Sequence, residues 1–191
     1  MMDEYLEETD CMDFSNPVVQ EKVLELKQTT VSDLDYIKQA YEFVRDEIPH
    51  SWDIKAQIVS RKASEVLINR TGICWTKSCL LAALLRANDI PAGISYQYLT
   101  RADDASDGYI IHALNTVYID SLEKWIRLDA RGNKPGVNAQ FSLEEEILAF
   151  PARPEFGEKD YRDNHCDLDS RLKEILKMSG SVLDIRTDFE I

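Results

Sequence analysis

The apolar residues of this chain change their period at Ala92, and that change constrains the fold more than any other feature. Before it, apolar side chains recur at helical spacing: Leu34, Ile37, Tyr41 and Val44 form one face, and Leu80, Leu81, Leu84 and Leu85 another. After it, residues 92–100 (AGISYQYLT) alternate, with Ile94, Tyr96 and Tyr98 on one side. Residues 109–119 are rich in β-branched and aromatic side chains, and residues 124–130 supply a third strand. Helices followed by an antiparallel sheet is the order of an α+β fold.

Punctuation residues refine the outline. Residues 17–28 suit a short helix or an extended segment. Ser32 and Asp35 suggest a capped helix start, and that helix should end before Pro49. A short helix is expected over 63–69. A longer one should run from Cys74 to about Asn88, ended by Asn88, Asp89 and Pro91. Residues 120–123 form a turn. Ser142 and Glu145 suggest a capping box for a helix over 142–149. Residues 151–166 show little periodicity, and a last helix should span 170–178.

Charge and cysteine usage limit the function classes. The chain has 191 residues, 22 Lys and Arg against 35 Asp and Glu, and a net charge of −13. Such a surface repels nucleic-acid phosphates and anionic lipid headgroups, so neither partner is expected. No apolar run approaches the ~20 residues of a membrane helix. The acidic start is unlike a secretory signal, so a soluble cytoplasmic protein with reduced thiols is expected. The four cysteines are Cys11, Cys74, Cys79 and Cys166. A zinc site from Cys74, Cys79, His165 and Cys166 is one alternative. Asp103, Asp104 and Asp107 lack calcium-loop spacing and read as a solvated loop. Neither a metal nor another cofactor is expected.

Three residues together carry chemistry. Cys74 follows Gly72 at a helix start, where free N–H groups and the helix dipole favour a thiolate. Taken alone, it could equally be a small buried thiol. His112 lies mid-strand between aliphatic neighbours, which should hold it rigid and partly desolvated. A four-residue turn at 120–123 pairs Ile119 with Lys124 and therefore Leu114 with Asp129. Strand side chains alternate, so His112 and Asp129 then share a face as diagonal neighbours. Asp129 can hold one imidazole nitrogen while the other faces a thiol, the division of labour of a nucleophile–base–acid triad.

These residues resemble the transglutaminase-like superfamily. Gly72-Ile73-Cys74, the helix Leu80-Leu81-Ala82-Ala83-Leu84-Leu85-Arg86-Ala87 and Asp89-Ile90-Pro91-Ala92 look like its first block. His112-Ala113 and Trp125-Ile126-Arg127-Leu128-Asp129 look like its two later blocks. The resemblance covers about residues 35–135. It implies a papain-like architecture, with the nucleophile at the start of a helix packed on the sheet. It also implies Cys74 as nucleophile, His112 as general base and acid, and Asp129 as the orienting residue. Leu114 stands where the family often has an aromatic residue, and Trp75 where many members have a smaller or polar one. The expected domain layout is an acidic flexible leader over 1–16, a catalytic domain over 17–150 and an extension over 151–191 packed on it; the flanks beyond 35–135 are outside the resemblance.

The implied chemistry is attack on a carboxamide or peptide bond, giving an acyl-thioester resolved by water or an amine. An oxyanion hole is needed; the Cys74 backbone N–H is one donor, and Trp52 or Gln57 the second, with Trp52 favoured. Trp75 is a further candidate for contact with a peptide or protein substrate. His50 and His165 read as surface residues without a role. The competing reading is a non-catalytic peptide- or protein-binding module on the same scaffold, which an occluded Cys74 would favour. Oligomeric state is not legible.

Overall fold

A computed structural model describes residues 2–101, 105–187 and 189–191; Asp103 and Asp104 of the acidic loop lie outside the described residues. The chain order is α1 (Pro17–Thr29), α2 (Asp33–Glu42), α3 (Ala63–Asn69), α4 (Cys74–Arg86), β1 (Ala92–Thr100), β2 (Tyr109–Ile119), β3 (Lys124–Leu128), β4 (Lys159–His165) and α5 (Ser170–Met178). Local chemistry explains the helix starts. The Asn16 side chain accepts from the Val18 N–H, with Pro17 at the first helical position. Ser32 accepts from the Asp35 N–H at 3.2 Å, and Asp35 reaches back to the Val31 N–H at 3.1 Å. α2 continues as a wider π turn, Phe43–Glu47.

The four strands form one antiparallel sheet in the order β3-β2-β1-β4. The β2–β3 hairpin pairs Ile119 with Lys124 and keeps that register to Asn115 opposite Leu128. α4 packs on β1 and β2 with the other helices around it. All 13 of its residues are buried, as expected of a helix at the centre of a domain. This is broader than the single stripe Leu80–Leu85 suggests, because α3 covers one flank and the sheet the other.

Two elements differ from expectation. Residues 142–149 form no helix; Ser142 accepts from the Glu144 and Glu145 N–H groups, but the chain bends and Gln140 bridges Ile147 instead. The cap is present, yet the segment is held in an irregular loop, where Arg127 grips Glu146 in a paired bond of 2.9 and 2.7 Å. Residues 159–165, without apolar periodicity, form the edge strand β4, where one side of the ladder faces solvent and polar residues are tolerated.

The acidic start is tied to the body. Cys11 and Met12 are buried. Asp13 accepts from the backbone and hydroxyl of Ser64 at the start of α3. Arg86, at the end of α4, donates to the carbonyls of Glu7, Ala92 and Cys166, joining the N-terminal segment, β1 and the chain before α5.

Candidate active site

α4 begins where the backbone comes close to its own first turn. A Cβ on Gly72 would stand 2.7 Å from the Thr76 hydroxyl, so only glycine fits there. The Ser51 N–H donates to the Gly72 carbonyl at 3.0 Å, bringing the 50–53 loop beside the helix start. Two side chains then fix α4 against β2. The Trp75 indole donates to the Ile111 carbonyl at 2.7 Å, and the Ser78 hydroxyl to the Ala113 carbonyl at 3.2 Å. Both anchors flank His112, so Cys74 and His112 are brought together by the packing of helix on strand.

His112 Nε2 and Asp129 Oδ2 lie 2.8 Å apart, both buried. Cys74 lies close enough to the His112 ring for its sulfur to act on the charge of the imidazole, and the bond from Nε2 to Asp129 leaves Nδ1 as the other ring nitrogen. Burial alone would lower the His112 pKa. The negative charge of Asp129, the Cys74 sulfur and the bonds to both outweigh it and hold the imidazole well above its ordinary value. Burial likewise works against ionised Asp129. The His112 charge and the backbone N–H groups of Ala149 and Arg131 reverse this and keep the carboxyl below its ordinary range. The Phe150 ring meets the His112 ring edge-on, with centroids 5.4 Å apart, and covers it from solvent.

These groups border a cavity of about 640 Å³ whose lining includes His50, Trp52, Cys74, Trp75, His112 and Phe150. Cys74 is 8% exposed. Ile185 and Thr187 form part of one wall. The Trp52 indole donates to the Val182 carbonyl at 3.0 Å, so that N–H is already engaged. Gln57 is exposed and lies outside the lining; its backbone carbonyl accepts from the Val182 N–H at 2.9 Å. Thr187 Oγ1 accepts from the Ile111 N–H at 3.2 Å. Neither Trp52 nor Gln57 therefore points a free N–H at Cys74, and the Trp75 N–H serves the helix anchor.

Three groups near the centre carried no sequence signal. His50, expected at the surface, is 6% exposed, and its Nε2 lies 3.2 Å from the Cys74 backbone nitrogen. Lys77, one turn beyond Cys74, is fully buried and donates to the carbonyls of Arg45, Ile48 and Arg131. Arg131 forms a two-point ion pair with Asp53. The zinc alternative does not assemble: Cys79 is fully buried with Cys11 as its neighbour, and His165 packs against the Tyr96 ring. Among the described residues no cluster of three His, Cys, Asp or Glu side chains suits a metal.

The sequence profile of the transglutaminase-like superfamily matches residues 20–130. The chain belongs to that superfamily. The fold is also similar to a candidate cysteine protease from Cytophaga hutchinsonii, with a TM-score of 0.55 and 19% identity, over 68% of this chain and 42% of that one. The periplasmic domain of TgpA from Pseudomonas aeruginosa aligns with a TM-score of 0.47 and 17% identity, over 66% of this chain and 45% of that one. A TGase aligns with a TM-score of 0.45 and 17% identity, over 82% of this chain and 44% of that one. The chain thus spans less than half the length of each. Among curated proteins no relative matches the sequence. No helix of the described residues is long and apolar enough to cross a membrane.

Proposed function

We propose that this superfamily member is a cysteine enzyme acting on amide or peptide bonds of a peptide or protein through an acyl-thioester on Cys74. The observation that carries the reading is the buried His112–Asp129 bond of 2.8 Å, with Cys74 near enough to the same ring to act on its charge. In the proposed reaction Cys74 passes its thiol proton to His112, the sulfur attacks the carbonyl carbon, and the π electrons move to oxygen. The tetrahedral intermediate collapses as His112 gives its proton to the departing amine. Water or a second amine, deprotonated by His112, then attacks the thioester and releases Cys74. Hydrolysis and acyl transfer share every step but the acceptor. Asp129 keeps the imidazole oriented and stabilises its charged form. The four cysteines are free, which supports a reducing, cytoplasmic setting.

Alkylation by iodoacetamide across pH, read by peptide mass spectrometry, tests the nucleophile. Cys74 should react at or below neutral pH at least tenfold faster than Cys166, the most exposed of the four thiols. His112→Ala should remove that advantage. A Cys74 no faster than Cys166 sinks the catalytic reading.

One observation favours a binding module instead: Ile185 and Thr187 line the cavity, and Val182 of the same segment holds the Trp52 indole. Excision of residues 181–191 separates the two readings. The enzyme accepts an acyl group from a nitrophenyl ester at Cys74 before and after excision. A module remains inert to the ester in both forms.

A further inference from the structure

Three buried side chains line up across three neighbouring strands. His112 stands on β2, Gln97 is its direct partner on β1, and Asp129 reaches the same imidazole from the residue after β3. Residues directly opposite in an antiparallel pair project from the same face. Gln97 therefore rises beside His112 on one flank, as Asp129 does on the other. The dipeptide Ala149-Phe150 is tied to both ends of this row. The Ala149 N–H donates to Asp129 Oδ2 at 3.0 Å, and the Phe150 carbonyl accepts from Gln97 Nε2 at 3.2 Å. Between the two ties the Phe150 ring meets the His112 ring edge-on, with centroids 5.4 Å apart. Residues 148–153 belong to no helix or strand, so side-chain ties of this kind set where Phe150 sits.

Packing alone does not call for an amide at position 97. Gln97 Oε1 is buried without a hydrogen-bond partner among the described residues, a cost that a methionine of similar length would avoid. Asp160, opposite Gln97 on β4, also draws on the amide, but Arg127 already holds that carboxylate at two points, 2.7 and 2.8 Å. What the amide alone supplies is the tie to Phe150.

We propose that Gln97 is a positioning residue for His112, acting through Phe150. The assignment rests on the reading of His112 as the base for Cys74. Gln97 fixes the Phe150 carbonyl, the carbonyl fixes the ring, and the ring limits rotation of the imidazole and keeps water from its bond to Asp129. Without the tie, the 149–150 backbone is held only at Asp129. The ring then swings away, water competes for Nε2, and the imidazole samples orientations unproductive for proton transfer. The chemistry is unchanged: His112 still takes the thiol proton and returns it to the leaving group, but less often from the right orientation.

The test is a double-mutant cycle read by rate and by NMR. Gln97→Met keeps the volume and removes the donor; Phe150→Leu keeps the carbonyl and removes the ring. Each should slow acylation of Cys74 by p-nitrophenyl acetate roughly tenfold, within the ~100-fold that a 1 Å misplacement can cost. The double variant should be slower than either single one by less than about threefold, because both break one path. In wild type the Nε2 proton shared with Asp129 should appear as a far-downfield resonance that exchanges slowly with water. Both single variants should lose it, while a merely structural role for Gln97 leaves it in place. Losses that multiply in the double variant, a resonance that survives either substitution, or its absence from wild type overturns the proposal. If Gln97→Met does not fold, Phe150→Leu carries the same resonance test. A wild-type Cys74 inert to both the ester and iodoacetamide defeats the nucleophile reading instead, and the resonance comparison still decides the role of Gln97.

Discussion

Replacing Lys77 by methionine should change how stability depends on pH, and the direction follows from where the ammonium sits. Lys77 lies in the first turn of α4 with no solvent contact and donates to the carbonyls of Ile48 and Arg131, with a longer bond to Arg45. Burial and the nearby Arg131 cation lower its pKa from 10.5 to about 7, against the opposing pull of Asp129, Asp46 and Asp53. The unfolded chain therefore holds more protons on this residue between about pH 7 and 10.5, so folding stability rises with pH across that window. Below pH 7 the full penalty for burying the charge is present. At ~1.36 kcal/mol per pH unit, the whole displacement corresponds to about 5 kcal/mol, of which roughly 3 falls between pH 7 and 9.5. His112 contributes with the opposite sign: its folded pKa is raised, so its share is complete below the unfolded value and fades as pH climbs through the folded one. Comparing wild type with Lys77→Met at each pH removes that share. Methionine fills the same volume but leaves carbonyls unpaired at ~1–3 kcal/mol each, so the variant should be less stable by an offset; the slope carries the test. Urea unfolding followed by tryptophan fluorescence at pH 6.5, 8 and 9.5 gives both. The stability of wild type relative to the variant should grow by roughly 3 kcal/mol from the lowest pH to the highest. A constant or shrinking difference refutes the placement of a strained ammonium under the site.

Asp129→Asn should retain the fold but hold His112 in the wrong tautomer, reducing Cys74 acylation by roughly 10³–10⁴-fold; stopped-flow release of nitrophenol measures it, and a loss under tenfold contradicts the orienting role. Gly93→Ala should be poorly tolerated for a reason unrelated to chemistry. Its Cβ would stand 2.1 Å from Asn164 Oδ1, 2.6 Å from Thr116 Oγ1 and 2.8 Å from the His165 carbonyl, in the gap between β1, β2 and β4. A destabilisation of ~3 kcal/mol or more by chemical denaturation is expected, and one below 1 would show that β4 moves aside freely.

The pairing of His112 with Asp129 was legible because a strand hairpin converts sequence distance into geometry. A four-residue turn fixed the pairing of Ile119 with Lys124, and alternation did the rest, placing His112 and Asp129 on one face. The start of α4 was legible from Gly72 and from the Asn88-Asp89 stop. β4 was not, because an edge strand held by Tyr161, Asp160 and Lys159 needs no apolar pattern. The absent helix over 142–149 shows the converse: Ser142 makes its local cap bonds, but Arg127 and the Gln140–Ile147 bridge decide the backbone. His50 and Lys77 act through backbone groups far away in the chain, a contact that leaves no periodic trace.

The net charge of −13 also misdescribes the site. Among the described residues, the buried Lys and Arg side chains are four, Lys77, Arg86, Arg127 and Arg131, and the buried Asp and Glu are two, Asp129 and Glu158. The acidic excess belongs to the surface, while Lys77 and Arg131 sit beneath the cavity, linked by the Lys77 bond to the Arg131 carbonyl. Acidity outside therefore says little about which substrate enters. In the proposed reaction the carboxamide is neutral when it binds and negative at oxygen as the sulfur–carbon bond forms. Positive potential beneath Cys74 interacts weakly with the first state and strongly with the second, and burial amplifies the difference. The costly placement of Lys77 makes sense in those terms: a cation held at the edge of losing its proton fastens the Asp129–Arg131 turn to α4 and lends its charge at the step where negative charge appears.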